Sequence, residues 1–374
     1  MTILASSINP PALEVHVLGG RTGESIILKL PDGQWGVVDC YAESLTDPDA
    51  NPTIRFLRGK GVTQLFFVCL THPHDDHYLG MNKLIEEFKP QEFWRFGCLS
   101  HEHVRKLLKY HELKAKKSGD EELTRSAQEL VEVFGKAYQG AVNRTMGVCR
   151  ANSQTNLYPK RSDSPTTYKI ECLSPTGRQV ERYEGAVWNC IGADGKIAKK
   201  LANSEHNDIS IVLKITYGDT RIILGGDLEQ EGWEDVIEET GGPNLSACAV
   251  KVSHHGSENG YCDRLWEHFS RERKPIAIVA PRWRYSLPKP DALTHIFQHA
   301  REVYSTSQPR LQWTPPPLPT SPGGPPLESR LKVRELFSAN PILDWSECGR
   351  CSLIFDDKGQ VQIELEKPAL SLQS

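Results

Sequence analysis

The chain has 374 residues, 38% hydrophobic and 25% charged, with a formal charge of −4. That is ordinary globular composition with room for one large domain or two modest ones. It excludes an overall electrostatic drive toward nucleic acid, so a polyanionic partner would have to be held by a local basic patch. No stretch approaches the ~20 apolar residues of a membrane span, and the opening MTILASSINPPALEVHVLGG has neither the basic nor the apolar region of a secretory signal. Ten cysteines, several of them in apolar runs such as FFVCL and SACAV, read as buried free thiols in a reducing, cytoplasmic compartment. Cys348 and Cys351 form one CxxC with no second pair nearby, which reads as structural rather than metal-binding.

In chain order, LEVHVLGG, ESIILKL and WGVVDC alternate and are separated by turn residues, which predicts antiparallel strands with Asp39 at the end of the last. TIRFLRGKGV predicts a short helix, QLFFVCL a buried strand, MNKLIEEF a helix and EFWRFGCL a strand. Residues 101–147 change character. Apolar residues at helical spacing, including Leu123, Ala127, Leu130, Val131 and Phe134, predict a helical hairpin broken at KSGD. Its first arm carries Arg105, Lys106, Lys109, Lys114, Lys116 and Lys117, either a solvated face or a surface for a phosphate backbone.

Strands return with YKIECLSP, DISIVLKITYG, TRIILGGD, ACAVKVSHHGS, PIAIVAP and CSLIFDDKGQVQIEL. Helices are expected at EGWEDVIEE, CDRLWEHFS and DALTHIFQHAREVY. The stretch 308–330, containing QPRLQWTPPPLPTSPGGPP, is too rich in proline and glycine for either periodic structure and reads as a surface arm. The closing strands are expected to complete the second sheet, making residues 1–374 one domain.

The densest chemistry is LTHPHDDHYLG, residues 70–80. Imidazole and carboxylate are both zinc-type ligands. Alternation in an extended segment would point His72, His74 and Asp76 one way and His77 another, which suggests two ions. A histidine-rich polar loop is the bland alternative. The strand before the cluster and the helix after it argue against that, because α/β folds place sites at strand C-termini. Further candidates flank other apolar runs: His206 before a strand, Asp227 after one, and His254 with His255 after a third.

This pattern resembles the metallo-β-lactamase superfamily. His72, His74, Asp76 and His77 meet its His-x-His-x-Asp-His hallmark, and Asp39 matches its early aspartate. His206 with Ser210 resembles the third motif, and Asp227 in LGGD resembles the bridging aspartate. GGRTGESIILKLPDGQWGVVDC, LGGDLE and KVSHHGS are similar to the hydrolase domain of DNA-uptake competence proteins. Where those domains tend to carry His-Pro-His after RY, this chain has Leu287 and Lys289. The second ion's ligand set is then either short on that side or completed by the HHGS pair.

The resemblance implies an α/β fold, an αββα sandwich with a helical insertion, and a hydrolase using two divalent ions, zinc or else manganese, the second site the weaker. His72, His74 and His206 would hold the first ion. Asp76 and His77, with His254 or else His255, would hold the second, Asp227 would bridge, and Asp39 would orient a ligand histidine. Asp76 and Asp227 thereby count as catalytic together with His255, the spare histidine that would protonate the leaving group.

Attack by a metal-bound hydroxide serves many substrates, and the fold does not choose among them. The competence-type motifs, the basic arm, and Arg282, Arg284 and Lys289 in RWRYSLPK favour a phosphodiester in a nucleic acid or nucleotide. A thioesterase or lactonase is the competing enzyme, suited by a pI near 6.4. A silent binding scaffold would be expected to have lost these ligands.

Overall fold

Nearly continuous burial marks the first strands of the computed structural model, which describes residues 11–20, 22–45, 47–160, 166–191, 202–309 and 348–372. β1 (Leu13–Gly19), β2 (Glu24–Lys29) and β3 (Trp35–Val38) form an antiparallel meander. α1 (Pro52–Gly59) starts at Asn51, whose side chain accepts from the Thr53 and Ile54 N–H groups. β4 (Phe67–Leu70) leads through the single turn α2 (Asp75–Tyr78) and α3 (Met81–Phe88) to β5 (Glu92–Phe96), parallel to β4. α4 (His101–Ser118) and α5 (Glu121–Val142) are the helical hairpin, capped by Ser100 and Asp120. Gly119 ends the first arm at φ 72°, a left-handed conformation that glycine adopts without a Cβ clash. β6 (Gly147–Ala151) follows, parallel to β5.

The second half runs β7 (Asn156–Tyr158), β8 (Tyr168–Ser174), α6 (Gly177–Cys190), α7 (Asn203–Asp208), β9 (Val212–Tyr217), β10 (Thr220–Leu224), α8 (Gln230–Thr240) and β11 (Ala249–Lys251). It continues with α9 (Asp263–Phe269), β12 (Ile276–Val279), α10 (Pro290–His299), β13 (Glu302–Ser305), β14 (Gly349–Phe355), β15 (Val361–Glu366) and β16 (Leu370–Ser371). Among the described residues there are two eight-stranded sheets, in the orders β15-β14-β1-β2-β3-β4-β5-β6 and β16-β13-β12-β11-β10-β9-β8-β7. The proline-rich arm lies outside the described residues from 310 onward.

Neighbouring residues of the second sheet face opposite ways, and both faces are covered. Ile222, Leu224, Ile276 and Ile278 belong to the core shared with Val15, Val17 and Ile26 of the first sheet. Ile223, Val250, Ala277 and Val279 pack instead with Trp233, Trp266 and Leu293 of α8, α9 and α10. On the other side, Leu84, Ile85 and Phe88 of α3 and Val133 of α5 join the first core. The layers are therefore helix, sheet, sheet, helix: an αββα sandwich with a helical hairpin inserted between β5 and β6.

Two expectations are corrected. The closing strands do not all extend the second sheet: β14 pairs antiparallel with β1 and β15 with β14, and only β16 joins β13. The reason is register. Cys351, Leu353 and Phe355 lie opposite Val17, Val15 and Leu13, and all six are buried, so β14 continues an apolar face that β1 leaves at an open edge. DALTHIFQHAREVY is also not one helix. α10 stops at His299, and Val303 and Ser305 are buried in β13, parallel to β12.

Candidate metal centre

The sandwich brings the candidate residues to one edge because each follows the C-terminal end of a strand or flanks one. Asp39 follows β3, Thr71 and His72 follow β4, Asp227 lies three residues past β10, and His254 and His255 lie just past β11. The strand pairs β3–β4 and β10–β11 are parallel, so their ends lie side by side. Between β10 and Asp227 the chain needs Gly226, at φ 53°, where a Cβ would collide with the Ser210 hydroxyl. That hydroxyl accepts from the Asp227 N–H at 2.9 Å and lies 3.4 Å from His72 Nδ1, so one serine supports two candidate ligands.

Two groups of side chains converge, all buried except His74, which is half-buried. Asp76, His77, Asp227 and His255 form one, and His72, His74 and Asp227 the other, with the ligand atoms in each within 4.8 Å of one another. Asp227 Oδ2 lies 3.3 Å from His77 Nε2, 3.6 Å from His255 Nε2 and 3.7 Å from His72 Nε2. Yet both Asp227 oxygens, His74 Nε2 and His77 Nε2 are buried without a hydrogen bond. Buried polar atoms are normally paired, so nitrogen and carboxylate atoms crowded this closely without bonds fit divalent ions between them. A third group, Glu24, Asp39 and His77, has charge and hydrogen-bond partners of its own within the chain. The Lys251 ammonium lies 2.5 Å from Glu24, and Asp39 accepts from the Thr71 N–H and hydroxyl at 2.8 and 2.7 Å.

The alternation expected over 72–77 stops at His74, because α2 begins at the next residue. Asp76 therefore turns toward His77 and His255 instead of joining His72 and His74. The HHGS pair is also divided differently from the expectation. His255 is fully buried, with Nε2 3.0 Å from Asp76 and Nδ1 2.9 Å from the Ala280 carbonyl. His254 lies 4.0 Å from Asp227, keeps part of its surface exposed and lines the neighbouring cleft. Left-handed φ values of 47° and 53° at these two residues send the rings apart. His206 stands beside the centre, its ring 5.7 Å from that of His74, outside the two tight groups.

No protein-family model matches the chain. ComE operon protein 3 of Bacillus subtilis (strain 168) is 33% identical over 105 residues, a match taking in 27% of this chain and 13% of that protein's length. Among solved structures, a diphosphatase of the PhnP family is similar at TM-score 0.33 and 10% identity, over 71% of this chain and 85% of that one. The dizinc quorum-quenching lactonase AidC is similar at TM-score 0.28 and 13% identity, over 55% of each chain. Zn-bound PqqB from Methylobacterium extorquens is similar at TM-score 0.29 and 12% identity, over 63% of this chain and 69% of that one. Likenesses at these scores carry nothing about what this chain acts on. What decides the fold is internal: two mixed sheets face to face between helices, with His-x-His-x-Asp-His at the end of β4. This is the αββα architecture that the resemblance to the metallo-β-lactamase superfamily implied.

Within that fold, charge at the centre is set by burial and by the carboxylates. Burial works to lower the His77 pKa, but Asp227, Asp76 and Asp39 together hold it well above the ordinary histidine value. Burial pushes His74 down to about 4 and, with His77 and His74 nearby, takes His72 well below the ordinary value. Burial would raise Asp227, but His77, His255 and His254 hold it well below the usual carboxylate range.

A cleft of about 640 Å³ opens beside the centre, and Arg282, Arg284, Lys289, His254 and His206 are among its lining residues. Arg282 is largely buried and its guanidinium lies 2.9 Å from Asp76 and 3.3 Å from Asp75. Leu287 is buried, and Lys289 Nζ donates to the Tyr285 carbonyl, so neither replaces the expected His-Pro-His ligands. The basic residues of α4 are exposed, and Lys106, Lys109 and Lys116 pair with glutamates of their own helix. Sequence reasoning missed Thr71, Glu24, Lys251 and Tyr183, whose hydroxyl lies 3.2 Å from His206 Nδ1. Glu24 and Lys251 had a signal: each is a charge at the end of an apolar strand and yet almost fully buried.

Proposed function

We propose that the chain is a metal-dependent hydrolase and that its substrates are phosphodiesters. The observation that carries the reading is the convergence of two ligand groups on the unbonded carboxylate of Asp227. His72, His74 and Asp227 would hold one divalent ion, with His206 at its side, and Asp76, His77, His255 and Asp227 a second. Zinc or manganese suits this set. Bound there, such ions acidify a water and take up charge on the oxygen atoms of the reacting group. Asp39, 2.7 Å from His77 Nδ1, fixes that ring's orientation and tautomer.

In the reaction, the water oxygen bonds to phosphorus, the P–O bond to one alcohol breaks, and a proton passes to that alcohol. His254 is the member of the HHGS pair that reaches the cleft, so it takes the proton-transfer role first expected of His255. Arg282 is engaged by Asp75 and Asp76 and acts chiefly by positioning Asp76. Arg284 and Lys289 remain to meet an anionic group in the cleft. A thioesterase or lactonase keeps one observation in its favour, a largely apolar cavity adjoining the cleft.

The test is turnover by zinc- or manganese-loaded protein of bis(p-nitrophenyl) phosphate, single-stranded DNA, RNA, thioesters and lactones. Phosphodiester cleavage that disappears in Asp227→Ala supports the reading. Turnover of thioesters or lactones with none of the phosphodiesters overturns it.

A further inference from the structure

The helical hairpin does more than decorate the first sheet. Beneath it lies a cavity of about 470 Å³ whose walls include Phe96, Leu107 and Phe134, with Ala115 of α4 and Ala127 of α5 among the smaller lining residues. This cavity is not separate from the metal-side cleft. Pro73, Tyr78, His111, Leu123, Ser126 and His206 line both. Pro73 lies between the candidate ligands His72 and His74, so the apolar space begins beside the centre. Leu123, shared by the two cavities, is 49% exposed, and leaving a large aliphatic side chain that open has an energetic cost.

A volume of this size suits a small-molecule group. Its largely apolar walls give the polar bases and sugars of a polynucleotide little to bind. We infer that the cavity under the α4–α5 hairpin holds an apolar alcohol moiety of the substrate, making the natural substrate a small amphiphilic phosphodiester rather than a nucleic acid. The inference rests on the phosphodiesterase reading for the scissile group and on the cavity alone for the apolar group.

The probes are p-nitrophenyl alkyl phosphate diesters from methyl to octyl, assayed with metal-loaded protein. kcat/KM should rise about fourfold per methylene until the space is filled, the fold-change matching about 0.8 kcal/mol per buried CH2. Ala127→Phe, which fills the cavity from α5, should cut the octyl-to-methyl ratio by at least about tenfold on the same scale. If that variant does not fold, judged by circular dichroism, Ala115→Leu on α4 serves instead. A flat series in the parent overturns the inference, and so does an unchanged ratio in a folded variant.

Should no diester turn over, the phosphodiesterase reading fails, and calorimetry on metal-free protein decides the cavity separately. Octylphosphonate binding with a negative heat-capacity change, weaker for methylphosphonate and lost in the filled variant, upholds it. Equal or absent binding of the two phosphonates overturns it.

Discussion

Asp39 illustrates how one residue can govern a centre that it does not itself complete. It sits at φ 58°, in the left-handed region that non-glycine residues adopt at a cost of about 1–3 kcal/mol. In exchange its carboxylate reaches both Thr71 and His77. Asp39→Ala should lower zinc affinity about 10- to 100-fold, the usual effect of losing an orienting partner, measured by competition with a chromogenic chelator. The two adjacent histidines should separate cleanly. His255→Ala should reduce metal content by elemental analysis, whereas His254→Ala should keep the metal and lose about 10²- to 10⁴-fold in turnover. Because the carboxylates hold metal-free His77 above the ordinary histidine value, that ring carries a proton which an entering ion must displace. Apparent zinc affinity should therefore rise with pH through the neutral range, with proton release detectable in a weakly buffered titration. His72, His74, Asp76, His77 and Asp227 were all legible in the sequence as ligand types at strand ends. Which way Asp76 faced was not, because an alternation argument holds only while the backbone stays extended, and α2 begins at Asp75.

At the scale of elements, β4 leads into the histidine cluster and is held by its neighbours in the same sheet. Phe67 of β4 stacks on Trp94 of β5, ring centroids 3.7 Å apart and 10° from parallel, and both are fully buried. Gly36 of β3 lies against the Phe67 ring so closely that a Cβ there would overlap it. Trp94→Ala should cost about 3–5 kcal/mol, read as a shift in the urea midpoint, and should loosen the strand end on which His72 sits. Long strands with clear alternation, such as β1, β2 and β14, could be read from the residues directly. β6, β7 and β13 could not. They are only five, three and four residues long, and their pairing partners supply the order that their own sequence lacks. Similarly, QHAREVY keeps helical spacing past His299, yet Val303 is worth more against the second core than on a longer α10.

For the whole molecule, the centre belongs to neither sheet alone. His72, His74, Asp76 and His77 follow the first sheet's β4, Asp227 and His255 follow strands of the second, and the candidate ions would cross-link them. Removing metal with a chelator should lower the melting temperature, because a ligand at 100 times its Kd contributes about 2.7 kcal/mol. In Asp227→Ala the chelator should have little further effect, as followed by differential scanning calorimetry. The sequence allowed the longer strands to be located but not assigned to sheets, since only the pairing edges send β14 to β1 and β16 to β13.

The buried pair of Glu24 on β2 and Lys251 on β11 adds a constraint of its own. Separating the layers would strand two opposite charges in hydrocarbon, so the halves are fastened face to face by a polar rivet directly behind His255. A change in the outer hairpin, and in the cavity it roofs, would leave that fastening between the layers untouched.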